Sequence, residues 1–182
     1  MPAIRHRRVR VDDLDVFVRE AGDPGRPTLV LLPGYPSSTR AYVRLIDRLA
    51  PDWHTVAIDY PGFGSSDPLP GTPTFDRLAE VTGRVIDRPG RAQYMQDLLW
   101  DYQTNPARYP DWQAWLRQRQ PVVLAIWGQN DPFFIPAGAQ AYQGDVPQAE
   151  VILLDAGHFA LEEEADTIAG HAGRLLRVAF PG

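Results

Sequence analysis

The sequence predicts an α/β fold: a mostly parallel sheet with an N-terminal antiparallel hairpin and helices on both faces. Three observations carry that prediction. Residues 28–32, 122–127 and 151–154 form short, almost wholly apolar runs, which read as strands covered on both faces. Segments with apolar residues at helical spacing separate such runs. Each run stops abruptly at a loop rich in Gly, Pro or polar residues, and strands alternating with helices imply right-handed crossovers.

The elements follow in chain order. Val9 and Val11, then Leu14, Val16 and Val18, alternate with polar residues on either side of Asp12-Asp13, which is the signature of a hairpin. Gly22 to Pro27 is a loop by composition. Tyr42, Leu45, Ile46 and Leu49 mark a helix over 39–50, and His54–Ile58 is the next buried strand. Thr74 is placed to cap a helix bearing Leu78, Val81, Val85 and Ile86, which Asp87-Arg88-Pro89-Gly90 breaks. A second helix carries Tyr94, Met95, Leu98, Leu99 and Tyr102 and stops at Asn105-Pro106. Trp112, Trp115 and Leu116 mark a third. After the strands at 122–127 and 151–154, a helix from about Leu161 to Val178 closes the chain. Glu162-Glu163-Glu164 at its start suits the positive end of the helix dipole.

Composition narrows the function. The chain has 182 residues, 44% hydrophobic and 23% charged, which suits one globular domain over 1–182. Its net charge of −5 argues against nucleic acid as a partner, because phosphate binding needs a basic face. There is no Cys, which removes thiolate nucleophiles, disulfides and zinc fingers. All 18 basic residues are Arg; without Lys there is neither a Schiff-base amine nor a Walker A phosphate loop. The four His show no ligand spacing, so neither a metal nor a cofactor is expected. No apolar run reaches the ~20 residues of a membrane span, and the basic N-terminus lacks the apolar core of a signal peptide. A cytoplasmic location is the expectation.

In sheets of this type ligands bind beyond the C-terminal ends of the strands, so the loops that begin at Pro33, Asp59, Gly128 and Asp155 attract interest. Pro33-Gly34-Tyr35-Pro36 offers backbone N–H groups at a tight strand exit, a group type that stabilises a developing oxyanion. Asp131 and His158 follow successive strands, separated by 27 residues, one helix-plus-strand unit. Adjacent strands would present both on one edge. A carboxylate beside an imidazole fixes its tautomer and stabilises its protonated form, as a general base requires.

Four segments, in order, make the chain resemble the α/β-hydrolase superfamily, particularly its epoxide hydrolase and haloalkane/haloacid dehalogenase-like branch. They are Leu32-Pro33-Gly34-Tyr35-Pro36-Ser37-Ser38, Asp59-Tyr60-Pro61-Gly62-Phe63-Gly64-Ser65-Ser66, Trp127-Gly128-Gln129-Asn130-Asp131 and Ala156-Gly157-His158-Phe159-Ala160-Leu161-Glu162. The resemblance implies hydrolysis of an epoxide, a haloalkane or haloacid, or an ester. It makes Asp131 the triad acid and His158 the base. Gly34 and the N–H of Tyr35 would form the oxyanion site, with Pro33 where the family more often has His. Residues 88–120 correspond to part of the family's lid. Tyr102 there resembles the tyrosine that polarises an epoxide oxygen, and Trp112 and Trp115 would help shape a pocket for a small apolar substrate.

One departure is large. The family's nucleophile sits on a Gly-x-Ser-x-Gly or Gly-x-Asp-x-Gly elbow, and no such motif occurs in this chain. Relative to the family, roughly a hundred residues are missing after Asp87, so the nucleophile is unknown. Asp59, which ends a strand on the same edge, and Ser65, Ser66 and Asp67, which follow Gly64, are the substitutes. Two readings follow: a hydrolase that activates water through Asp131 and His158, or an inactive remnant that is either a small-molecule binding module or a non-functional deletion product. The missing strand would also leave 28–32 and 122–127 either paired directly or as two exposed edges, the latter inviting a homodimer by strand addition.

Overall fold

A computed structural model of the chain describes residues 3–11, 13–68, 70–71, 74 and 101–180. The helix expected over 74–87 and most of the one around Tyr94 lie outside the described residues. The chain divides into two compact units, Met1–Asn105 and Pro106–Gly182.

Among its described residues, the first unit holds a four-stranded mixed sheet in the order β1-β2-β4-β3. Strands β1 (Arg5–Val11) and β2 (Leu14–Ala21) form the expected hairpin, with Val11 opposite Leu14 across a tight turn. Alternation along β2 turns Leu14, Val16 and Val18 inward. β4 (His54–Ile58) runs antiparallel to β2 and parallel to β3 (Thr28–Leu31), so only one of the three pairings is parallel. Between β3 and β4, a 3₁₀ turn (Thr39–Tyr42) leads into α1 (Val43–Leu49). The Ser38 hydroxyl caps that turn by accepting from the Arg40 N–H. Ile46 of α1 packs with Ala21, Ala50 and Ala57 to make the core on one sheet face.

The two edges of this sheet differ. β1 is exposed along most of its length and carries Arg5, Arg7, Arg8 and Arg10, charges of the kind that discourage strand addition. β3, expected to be covered on both faces, is instead an edge whose sheet neighbour among the described residues is β4. Val30 is 57% exposed, and Leu32 just beyond the strand is also exposed. The apolar run is a true strand, but the element that would cover its outer side is not supplied by the described residues.

The second unit opens on the last part of a 3₁₀ stretch (Tyr102–Arg108) that continues through Pro106, where a helix end was expected. α2 (Tyr109–Arg119) begins at once, as the Trp112 and Trp115 spacing predicts, and has Pro110 in its first turn, where the missing N–H costs nothing. None of its residues is buried. Strands β5 (Leu124–Gly128) and β6 (Glu150–Leu154) form a parallel pair in register from Leu124 opposite Glu150 to Gly128 opposite Leu154. Two short helices, α3 (Ala137–Gln140) and α4 (Tyr142–Asp145), make the crossover between them. The expected closing helix is two: α5 (Ala160–Glu163) and α6 (Ala165–Ala179). They meet at Glu164, which stands in a non-helical conformation and accepts a hydrogen bond from the Thr167 hydroxyl at 2.8 Å. Leu154, Ala156 and Ala160, with Ile126, Ile152 and Ile168, form the core that seats β6 and its following loop. No helix among the described residues is long and apolar enough to cross a membrane.

Candidate active site

The loops that follow β5 and β6 are bound to each other by backbone. At the end of β5, a Cβ on Gly128 would stand 2.1 Å from the Gly157 carbonyl oxygen and 2.7 Å from that of Ala156. Only glycine permits this approach. The Gln129 N–H then donates to the Leu154 carbonyl (2.9 Å) and the Asn130 N–H to the Ala156 carbonyl (3.1 Å). The side chains of Gln129 and Asn130 both donate to Asp155 Oδ1, at 3.3 and 2.8 Å. From the other side, Glu163 Oε2 accepts from the Gly157 N–H at 3.1 Å. The acidic run at the start of the last helical segment therefore pins the loop that carries the histidine.

On this frame Asp131 and His158 meet. Asp131 Oδ2 lies 2.9 Å from His158 Nδ1. Its other oxygen, Oδ1, accepts from the N–H groups of Phe133 (2.8 Å) and Phe134 (3.0 Å). Burial pushes the Asp131 carboxyl up, but the Phe134 N–H, the His158 ring and the Phe133 N–H outweigh it and hold the group below the usual carboxylate range. Asp131 is thus an anion at neutral pH. A carboxylate only accepts, so Nδ1 carries a proton and donates it; in the neutral imidazole the lone pair is then on Nε2. That nitrogen makes no hydrogen bond to any described residue. The arrangement suits a base that takes a proton at Nε2 while Asp131 stabilises the resulting cation.

Three phenyl rings surround the imidazole. Phe134 stacks on it at 5.3 Å between centroids with an interplanar angle of 30°. Phe133 and Phe159 present edges at 5.2 and 5.1 Å. Phe133 is 74% exposed and Phe159 62%, so the rings form an open apolar rim. Sequence reasoning missed Phe133 and Phe134. The signal was their position directly after Asp131-Pro132, where a loop that delivers a carboxylate to a histidine delivers its next two side chains as well. Trp112, which the resemblance places at a substrate pocket, stands exposed on α2 and packs at a tilt against Tyr109 (5.6 Å). Trp115 is also exposed and lines an open surface cavity with Asp111, Ala114, Arg117 and Gln118.

The remaining candidates belong to the first unit and are described within it. Gly34 closes a turn by accepting from the Ser37 N–H at 2.7 Å, and the ring of Tyr35 meets Phe63 edge-on at 5.8 Å. The Tyr35–Pro36 peptide is cis. Tyr102 begins the 3₁₀ stretch and is 38% exposed. Asp59 is fully buried, and both of its carboxylate oxygens serve the backbone: Oδ1 accepts from the Thr39 N–H (2.6 Å) and Oδ2 from the Ser65 N–H (3.0 Å). Ser66 is also buried; its hydroxyl accepts from the Phe17 N–H and donates to the Asp59 carbonyl. Asp59 and Ser66 are therefore engaged as structural brackets. Ser65, by contrast, is exposed and uses its N–H, not its hydroxyl, to bind Asp59. Among the described residues no group of three His, Asp or Glu is placed to hold a metal.

Comparison with known proteins agrees with this architecture. An uncharacterized hydrolase of Saccharomyces cerevisiae is 26% identical, with 91% of this chain and 94% of the relative covered. That alignment spans 278 positions, more than the 182 residues of the chain, so a long stretch of the relative has no counterpart here. A 2-hydroxy-6-oxononadienedioate/2-hydroxy-6-oxononatrienedioate hydrolase of Escherichia coli is 30% identical over 92 residues, covering 50% of this chain and 31% of the relative. Among solved structures, 2-hydroxy-6-oxo-6-phenylhexa-2,4-dienoate hydrolase from Rhodococcus sp. strain RHA1 superposes with a TM-score of 0.80. It covers 97% of this chain and 100% of that one at 14% identity, a likeness of fold. The profile of the alpha/beta hydrolase fold family matches residues 27–94 and 90–165, and with that match over most of its length the chain belongs to this family.

Proposed function

We propose that the protein is a hydrolase whose working group is the Asp131–His158 pair, acting as a general base on water rather than through an enzyme nucleophile. The 2.9 Å contact between Asp131 Oδ2 and His158 Nδ1 carries this reading. For an ester, the oxygen of a water attacks the carbonyl carbon while its proton passes to His158 Nε2. The tetrahedral adduct then expels the alkoxide, which takes that proton back, leaving acid and alcohol. For an epoxide the same water opens a ring carbon and the diol forms. In a haloalkane or haloacid the same water displaces halide at carbon to give the alcohol, and the proton held at Nε2 leaves to solvent. The open phenyl rim favours a small substrate with an apolar or aromatic group beside the reacting carbon. The likeness to hydrolases named for 2-hydroxy-6-oxo acids adds conjugated ketones to the substrates worth trying.

The test is hydrolysis of 4-nitrophenyl butyrate and of an aryl epoxide, followed together with the intact mass of the protein. Slow turnover that vanishes in His158→Ala, with no covalent adduct, is the expected result. Turnover untouched by that substitution removes His158 from the reaction. A second reading is favoured by the absence of any Gly-x-Ser-x-Gly or Gly-x-Asp-x-Gly segment. In it the chain is an inactive relative that only binds apolar molecules, and it predicts ligand binding with no turnover at all. The cytoplasm is our proposed location, and self-association through the β3 edge is a further element of either reading.

A further inference from the structure

We propose that Trp127 is a positioning residue for the acid–base pair, acting through the backbone of Phe134; this inference rests on the pair being the working group. Trp127 lies on β5, one residue before the glycine that admits the two loops to each other. Its indole Nε1–H donates to the Phe134 carbonyl at 2.6 Å. The six-membered edge of the same indole faces Gly138 of α3, whose Cβ position would be 3.7 Å away, an ordinary van der Waals separation. The indole is therefore braced by a helix on one side and grips the acid loop on the other.

Phe134 connects that grip to the chemistry. Its carbonyl is held by Trp127, its N–H holds Asp131 Oδ1 at 3.0 Å, and its ring stacks on His158. A rotation of the peptide that frees the carbonyl also turns the neighbouring backbone. The Phe134 N–H then drifts from Asp131, and Oδ2 loses its aim at Nδ1. The Phe134 N–H is also foremost among the groups that keep the Asp131 carboxyl low, so loss of the indole donor should be visible at Asp131 itself. Trp127 touches neither the imidazole nor water in this scheme; its whole effect passes through the backbone of one residue, from the Phe134 carbonyl across its Cα to the Phe134 N–H.

The experiment is Trp127→Phe, which deletes the donor and keeps an aromatic ring against Gly138. The carboxyl carbon of Asp131 is followed by NMR as pH is lowered, and turnover of 4-nitrophenyl butyrate is measured in parallel. The titration midpoint of Asp131 is expected to move upward toward the ordinary carboxylate range, with kcat reduced about tenfold and KM little changed. Phe134→Leu keeps both backbone groups and should leave that midpoint where it is. An unmoved Asp131 midpoint in folded Trp127→Phe overturns the proposal, and so does a Phe134→Leu shift as large as that of Trp127→Phe. An Asp131 midpoint that moves in a protein showing no turnover supports the positioning role and sinks the catalytic reading alone. If Trp127→Phe does not fold, hydrogen exchange of the unaltered protein decides. Matched slow exchange of the Trp127 indole N–H and the Phe134 N–H supports the coupling, and a freely exchanging indole overturns it.

Discussion

Two aspartates, Asp59 and Asp131, each stand just beyond the C-terminal end of a strand, and each is buried, yet they are used differently. Asp59 gives one oxygen to the Thr39 N–H and the other to the Ser65 N–H. Asp131 gives one oxygen to two adjacent N–H groups of its own loop and keeps the other for His158. The first carboxylate closes a structural bracket. The second is fixed on one side so that it can orient a base on the other. Burial and position on the strand do not distinguish them; the partner of the second oxygen does.

Substitutions should separate the two along that line. The largest effect belongs to the base: His158→Ala is expected to lower hydrolysis about 10²–10⁴-fold, measured by initial rates, while thermal stability changes little. Asp131→Asn should fall in the same range, because an amide can offer an N–H to Nδ1 and favour the wrong tautomer. Asp59→Ala is expected to do the reverse. It leaves the buried Thr39 N–H and the partly exposed Ser65 N–H without their acceptor and should cost about 1–3 kcal/mol in urea unfolding, with the Asp131 titration unchanged. An Asp59→Ala protein as stable as the original would dissolve the contrast.

Gly64→Ala tests the bracket from outside. Its φ is +47°, and an added Cβ would stand 2.2 Å from the Asp59 carboxylate, so a loss of about 2 kcal/mol is expected. The smallest effect is one of pH. Because the folded Asp131 titrates below its unfolded counterpart, its contribution to stability is complete above about pH 4 and disappears as pH falls through the folded value. The stability gap between the unaltered protein and Asp131→Asn, followed by urea midpoints from pH 7 to 3, should therefore narrow only at the acid end. A gap that closes between pH 7 and 5 would mean that the carboxyl is not held low.

Much of this architecture is legible in the sequence. Strand positions within a residue or two, the hairpin, and the placement of Asp131 and His158 after adjacent strands all follow from apolar runs that end in polar loops. The alpha/beta hydrolase fold is found in a shortened, mixed-sheet form. What was not readable depends on neighbours distant in sequence. β3 looks like a strand covered on both faces because its composition fits one, while its exposure depends on which elements flank it. The break at Glu164 and the 3₁₀ passage through Pro106 turn on local backbone geometry that periodicity does not register. The bracket role of Asp59 was hidden for the same reason: its partners Thr39 and Ser65 lie on opposite sides of it in the chain.

The bare contact between Gly128 and the Gly157 carbonyl has one more implication. Acid and base are spaced by main chain meeting main chain, without an intervening side chain whose size sets the gap. The rings at 133, 134 and 159 can then be exchanged for other shapes without detuning the proton relay. Selectivity and reactivity are separable here, so a lineage or a designer could retarget the rim while leaving the chemistry beneath it untouched.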